Sequence, residues 1–135
     1  MRTQRGLTLV ELLGVIAIAG IIMTLIMSVL LNGMNASKRN TTSQRLQQEA
    51  NYIVETIRNE YLEPDSESKI KISINNSDNT LKMEDQTISE GYYYQLNGKL
   101  NTDISIDRDD NFPFELIITK DEISFTVNST FSKLR

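Results

Sequence analysis

One uninterrupted apolar segment constrains this chain more than any other feature. From Leu12 to Leu31 no residue is charged, and only Thr24 and Ser28 are clearly polar. A helix needs about 20 apolar residues to cross a bilayer core of roughly 30 Å. Because the bilayer core offers no water to backbone N–H and C=O groups, we predict that the segment is a membrane-spanning α-helix.

Glu11 stands at the N-terminal border of this apolar segment. A carboxylate inside hydrocarbon costs about 2.5–3.5 kcal/mol on insertion scales, so such a residue needs either water or a partner. A position at the helix end lets the side chain reach the interface, and a positively charged partner would serve as well. The position of Glu11 alone leaves both interpretations open.

The residues before Glu11 form a distinctive pattern. A short leader with two arginines ends at Gly6, an apolar residue follows, and Glu11 is the fifth residue after the glycine. This pattern resembles the prepilin leader and N-terminal segment of type IV pilins and type II secretion pseudopilins. Two positions depart from it: Leu7 stands where the family usually has phenylalanine, and Ser28 stands where many members have proline.

The resemblance implies a processing site and an assembly site. In that family a membrane peptidase cuts after the glycine and methylates the new N-terminus, so we expect cleavage between Gly6 and Leu7 and N-methylation of Leu7. Glu11 is the expected assembly residue, paired with the Leu7 amine of the next subunit. The implied partners are other pilin or pseudopilin subunits, the prepilin peptidase, the pilus assembly platform and the membrane, and no cofactor is implied.

Composition restricts the chemistry that the chain can perform. The chain contains neither histidine nor cysteine, so it lacks the commonest general base, the thiol nucleophiles and the N/S metal ligands. We therefore predict that it is not an enzyme. Its formal net charge of −4 disfavours bulk affinity for nucleic acid, which rests on neutralising phosphates. Direct binding of nucleic acid by a small basic patch stays open.

A second helical pattern follows the apolar segment. Apolar residues recur at helical spacing and predict an amphipathic helix with one buried stripe. The members of this stripe are Leu46, Ala50, Ile53, Ile57 and Tyr61. Pro64 is expected to end the helix, because its ring and its missing N–H oppose continuation.

After Pro64 the apolar period changes to two, which is typical of half-buried strands. We predict strands around 70–74, 80–84 and 87–88, a hairpin at Asn97-Gly98 between 92–96 and 99–106, and a last hairpin of 114–119 with 122–127. Residues 129–135 are predicted to be a polar tail. Successive hairpins indicate an antiparallel sheet with one face on the helix.

The acidic loop around residue 110 is a calcium candidate. Asp107, Asp109 and Asn111 have the first three ligand spacings of a calcium loop. The pattern then fails, because Phe112 and Ile118 occupy the positions that need glycine and glutamate. The loop is therefore interpreted as a solvated turn, with no metal site predicted beyond this weak candidate.

These patterns predict an α+β fold in which the distal half of a long N-terminal helix packs on an antiparallel β-sheet. The expected regions are a leader (1–6), a membrane or filament-core helix (7–31), an amphipathic extension (32–63) and an extracellular β domain (64–135). The leader would be cytoplasmic and the β domain would lie outside the cell membrane, on a pilus or pseudopilus.

The expected function is that of a minor pilin-like structural subunit of a type IV pilus, a competence pilus or a type II secretion-like pseudopilus. The pattern around Gln44 to Tyr61 also resembles the minor pseudopilins of the J type and their Gram-positive competence counterparts, which implies a competence-type system. The use of asparagine, isoleucine and lysine fits an AT-rich Gram-positive source. The alternative is a membrane-anchored extracellular module that binds a ligand such as incoming DNA.

Overall fold

The computed structural model describes residues 8–63 and 68–132. Within these residues one helix, α1, spans Leu9–Leu62. The chain divides into two compact units, Met1–Lys38 and Arg39–Arg135. Among the described residues, the first unit contains Thr8 and the part of α1 up to Lys38, and the second contains the rest of α1 together with the strands.

The distal part of α1 buries the predicted stripe. All five stripe residues are 4% exposed or less, and Val54 joins them at 5%. Pro64 lies outside the described residues, and the last helical residue is Leu62. The stripe prediction is confirmed, because apolar side chains three and four positions apart lie on one face of a helix.

The described residues contain seven strands, which form two antiparallel sheets. Their bounds are β1 Lys69–Asn75, β2 Thr80–Met83, β3 Gln86–Glu90, β4 Tyr93–Leu96, β5 Asp103–Asp107, β6 Phe112–Lys120 and β7 Ile123–Phe131. One sheet has the order β3-β2-β1-β5 and the other has the order β4-β6-β7. The predicted α+β class is confirmed, and the structure distributes the strands over two sheets.

The two sheets and the helix stripe share one hydrophobic core. Inward-facing residues alternate along the strands and are almost completely buried; they include Ile70, Ile72, Leu81, Leu96, Ile106, Phe114, Leu116 and Ile118. The helix contacts β7 through Tyr61, whose ring centroid lies 5.6 Å from that of Phe131. It contacts β3 through Glu49, which accepts a hydrogen bond from Ser89.

The turn predicted at Asn97-Gly98 is confirmed, but the pairing predicted for the strands on either side of it is wrong. Both residues have positive φ, 48° and 75°, as a type I′ turn requires, and Leu96 pairs with Lys99. The chain then leaves this sheet, because β4 pairs with β6 and β5 pairs with β1. The Asn97 side chain holds the turn against β6 by donating to the Pro113 carbonyl at 2.8 Å and accepting the Glu115 N–H at 2.7 Å.

The predicted polar tail is also wrong at its start. Strand β7 continues to Phe131, which is only 2% exposed. Its ring packs against Tyr61 and, at 5.1 Å between centroids, against Phe114. Because this aromatic side chain is buried at the end of a Ser/Thr-rich segment, the strand extends four residues past Val127, where it was predicted to end.

A buried arginine fastens the loop after β5 to the end of α1. The Arg108 side chain is 8% exposed and donates to Glu60 Oε1 at 2.7 Å. It also donates to the Glu63 carbonyl at 2.7 Å, which satisfies a carbonyl at the helix C-terminus. A cation at this end of a helix is favourable because of the helix dipole.

A second polar contact joins the helix to both sheets. The Ser89 hydroxyl lies 2.6 Å from Glu49 Oε1 and 2.6 Å from the Tyr94 hydroxyl. These residues belong to β3, α1 and β4. Because Tyr94 is completely buried, this chain of hydrogen bonds removes the cost of an unpaired hydroxyl in the core.

Candidate functional site

The side chains of Thr8 and Glu11 cap the N-terminus of α1. Glu11 Oε2 accepts the Thr8 N–H at 2.8 Å and the Thr8 hydroxyl at 3.0 Å, and the Glu11 N–H donates to Thr8 Oγ1 at 3.3 Å. This reciprocal pattern is a capping box, which satisfies backbone donors that the first helical turn leaves free. It also places a carboxylate at the positive end of the helix dipole.

Sequence reasoning missed the capping box, although the signal was present. Thr8 and Glu11 have the Ser/Thr-x-x-Glu spacing directly before an apolar run, which is a helix-start signature. The Glu11 carboxylate therefore has a partner within its own chain. Both bonds use Oε2, so they leave the second oxygen, Oε1, for another contact.

The side chains of the apolar half of α1 are exposed. Every large apolar residue from Leu9 to Leu31 exposes 48% or more of its surface. This helix is long and apolar enough to cross a membrane, and the described chain buries none of its most apolar window. A continuous apolar surface of this extent needs lipid or other protein around it.

Thr24, one of the two polar residues in this segment, is satisfied locally. Its hydroxyl donates to the Gly20 carbonyl one turn earlier at 2.8 Å. Such a bond to the i−4 carbonyl removes an unpaired donor from an apolar environment. Thr24 is therefore compatible with both lipid and a helix-lined filament core.

The predicted processing residues, Gly6 and Leu7, lie outside the described residues. Cleavage between them and methylation of Leu7 stay predictions. The structure places Glu11 in the first turn of α1, three residues after Thr8, where the description of the chain begins. Glu11 as the assembly residue likewise stays a prediction.

The acidic loop has a different arrangement from that of a metal site. Asp107 Oδ1 accepts the Asp109 N–H at 3.0 Å, which makes a local turn. Between them Arg108 turns inward to α1. Across residues 8–63 and 68–132, no cluster of three histidine, cysteine, aspartate or glutamate side chains is placed to hold a metal. Calcium binding at Asp107, Asp109 and Asn111 gains no support from this geometry and stays untested.

The N-terminal segment is thus an exposed apolar helix with an acidic cap at its start. Residues 1–27 match the family described as the prokaryotic N-terminal methylation motif. This match, which covers the N-terminal segment alone, supports the resemblance of that segment to the N-terminal segments of type IV pilins and pseudopilins. No curated protein and no solved structure matches the chain.

Proposed function

We propose that the chain is a minor pilin-like structural subunit of a type IV pilus, a competence pilus or a type II secretion-like pseudopilus. The observation that carries the proposal is the methylation motif over residues 1–27, on a helix whose large apolar residues from Leu9 to Leu31 are all exposed. The segment is held by lipid before assembly and by neighbouring helices in the filament afterwards. The chain's role is structural, and its partners are pilin-like subunits, the prepilin peptidase and the assembly platform.

Processing prepares the chain for assembly. The leader stays in the cytoplasm, the peptidase cuts between Gly6 and Leu7, and the new amine of Leu7 is methylated. Removal of the leader takes away Arg2 and Arg5 and changes the formal net charge from −4 to −6. The second unit lies outside the cell membrane.

Glu11 then fixes the register between subunits. The Leu7 amine of an incoming subunit pairs with Glu11 of a subunit already in place, and two charges in an apolar environment neutralise each other. Because the capping bonds use only Oε2, Oε1 can accept this amine while the helix start stays capped. Breaking such a buried pair leaves one charge alone, which costs about 3–5 kcal/mol.

Substitution of Glu11 tests the proposal. Glu11→Gln and Glu11→Leu should both insert in the membrane and be processed, and both should be depleted from sheared filaments. The measurement is the ratio of the filament fraction to the membrane fraction, with Glu55→Gln as a control because Glu55 is an exposed carboxylate of the second unit. Normal incorporation of both Glu11 variants would show that this residue does not set the register.

Gly6→Ala separates this function from a simple membrane anchor. A subunit that must be processed should remain in the membrane as an uncut precursor and be lost from filaments. An anchored binding module has no need of the glycine, so its display and ligand binding would be unchanged.

A further inference from the structure

The charges along α1 are unevenly distributed. Between Glu11 and Glu49 the sequence contains no acidic residue, whereas it contains three basic ones, Lys38, Arg39 and Arg45. All three basic residues are exposed on α1. This part of the helix is therefore positively charged, in a chain whose formal net charge is −4.

Lys38 and Arg39 form a basic pair without an acidic neighbour. Two ion pairs occur among the described residues, and the basic pair belongs to neither of them. Glu49, the next acidic residue along the chain, lies ten residues after Arg39, which is about 15 Å along a helix. Its carboxylate already accepts a hydrogen bond from Ser89. The basic pair is therefore available to a negative group outside the chain.

The basic pair follows the apolar segment at a short distance. Lys38 lies seven residues after Leu31, the last residue of that segment, which is about 10 Å along a helix. When the segment spans the hydrocarbon core of about 30 Å, the headgroup layer occupies roughly the next 5–8 Å. Side chains on a helix lean toward its N-terminus, so the long stems of Lys38 and Arg39 extend back toward this layer. Their charged groups therefore reach the level of the lipid phosphates.

Membrane orientation does not account for the basic pair. An excess of lysine and arginine on one side of a membrane helix marks the cytoplasmic side. Here Arg2 and Arg5 precede the apolar segment, and the two residues of the basic pair follow it. Equal numbers of basic residues on the two sides give no net orientation signal. A basic residue at the headgroup level is favourable where the lipid is anionic, because it is attracted to the negative surface.

The charge of the remaining sequence favours lipid over nucleic acid as the partner. From Glu49 to Arg135 the sequence contains 17 acidic and 9 basic residues. This acidic part of the chain repels an extended polyanion, whose binding rests on the neutralisation of many phosphates. Lipid phosphates are confined to the bilayer surface, so the basic pair meets them without bringing a polyanion along the acidic part.

We propose that the basic pair binds the phosphate groups of anionic phospholipids while the apolar segment is in the membrane. Arg45 is not part of this site, because it lies seven residues after Lys38, about 10 Å further along a helix. That distance exceeds the screening length of about 8 Å at physiological ionic strength. The proposal rests on the proposed function, since it concerns the stage at which lipid surrounds the subunit before assembly.

The test measures which lipid gathers around the full chain in vesicles. Because the chain contains no cysteine, Asn40→Cys introduces a single position for a fluorescent donor at an exposed residue of α1. The vesicles are phosphatidylcholine with a trace of acyl-labelled phosphatidylglycerol or acyl-labelled phosphatidylcholine as the acceptor. Energy transfer at low salt should show a preference of about 5- to 25-fold for phosphatidylglycerol, since each basic residue near an anionic surface strengthens attachment by about fivefold.

Substitutions of the basic residues separate the site from general charge. Lys38→Gln combined with Arg39→Gln should abolish the preference, while insertion into the vesicles, checked by flotation at high pH, stays unchanged. Arg45→Gln is the matched control, because it removes one positive charge about two turns further along α1, and it should keep the preference. The exchange Lys38→Arg with Arg39→Lys preserves both charges and should keep it as well. A preference that survives the double glutamine substitution, or that Arg45→Gln lowers equally, would overturn the proposal.

A second measurement leaves the basic pair unsubstituted. Sodium chloride at about 0.5 M should remove most of the preference, because salt screens charges at the bilayer surface. Inorganic phosphate at the same ionic strength should do no more than chloride; a stronger effect would show a site for free anions, and displacement of the lipid by a DNA duplex would show a nucleic-acid site, and either would refute the choice of lipid. Equal transfer to both lipids by a fully inserted chain would overturn this proposal and leave the proposed filament function intact, whereas a chain that does not insert would contradict both.

Discussion

Replacement of Arg108 by alanine should destabilise the second unit strongly, because this arginine holds the loop after β5 to the end of α1. Two bonds are lost, one to Glu60 Oε1 and one to the Glu63 carbonyl, both at 2.7 Å. The Arg108 side chain is 8% exposed and that of Glu60 is 26% exposed. Little water reaches the site of the Arg108 side chain, whereas water can partly solvate the Glu60 carboxylate once the arginine is removed.

The magnitude follows from this burial. Breaking a fully buried ion pair costs about 3–5 kcal/mol, and a hydrogen bond to a charged group contributes about 1.5–3 kcal/mol. Because Glu60 regains some water, we place the loss of unfolding free energy at about 3 kcal/mol. For a domain of this size that corresponds to a decrease in Tm of roughly 12–24 °C.

The assay is urea unfolding of the full chain in detergent, followed by tyrosine fluorescence, since the chain has five tyrosines and no tryptophan. Glu55→Ala is the control, because it removes an exposed ion pair with Arg58. The side chain of Arg58 is 41% exposed and that of Glu55 is 59% exposed. An exposed pair contributes about 0–1 kcal/mol. If Arg108→Ala costs no more than Glu55→Ala, the buried arginine does not fasten the loop to the helix and the reasoning fails.

Three further predictions concern the core of the second unit. Ser89→Ala leaves the buried Tyr94 hydroxyl without its partner and should cost about 1–3 kcal/mol in urea unfolding; a change within error would contradict the role of this bond. Burial raises the pKa of Tyr94 to about 12 from about 10. The neutral Tyr94 hydroxyl therefore stabilises the folded protein fully below about pH 10, and this contribution is lost as the pH rises through about 12. Tyr94→Phe should flatten this part of the curve of urea midpoint against pH, and an unchanged curve would be evidence against it. Phe131→Ala should cost about 3–5 kcal/mol because the ring is 2% exposed against Tyr61 and Phe114; a cost under about 1 kcal/mol would agree with a polar tail instead.

The helix and its buried stripe could be predicted from the sequence because both depend on local periodicity. Leu46 and Tyr61 lie at helical spacing, so a single face collects the apolar residues. The strand pattern after residue 68 follows from alternation in the same way. These features need no knowledge of which elements meet in space.

The pairing of strands could not be predicted in the same manner. The Asn97-Gly98 signal fixes a turn, but the bonds from Asn97 to Pro113 and Glu115 decide which strand lies beside β4. These partners are distant in sequence and have no periodic signature. The sequence also does not predict that Arg108 turns inward from an acidic loop, since charged residues in a turn are ordinarily solvated.

The capping box shows a different kind of limit. The spacing of Thr8 and Glu11 predicts a capping box. The Glu11 carboxylate also fits an intermolecular ion pair, and the sequence alone does not show which of the two partners it takes. The structure shows that the bonds to Thr8 use one oxygen, so the two roles are compatible.

Intact-mass and N-terminal analysis of the chain from native membranes tests the central claim most directly. The account predicts a mature chain that lacks residues 1–6, begins at Leu7 and carries one added methyl group on the new amine. A chain that retains Met1 in cells with an active prepilin peptidase would contradict the proposal of a processed pilin-like subunit.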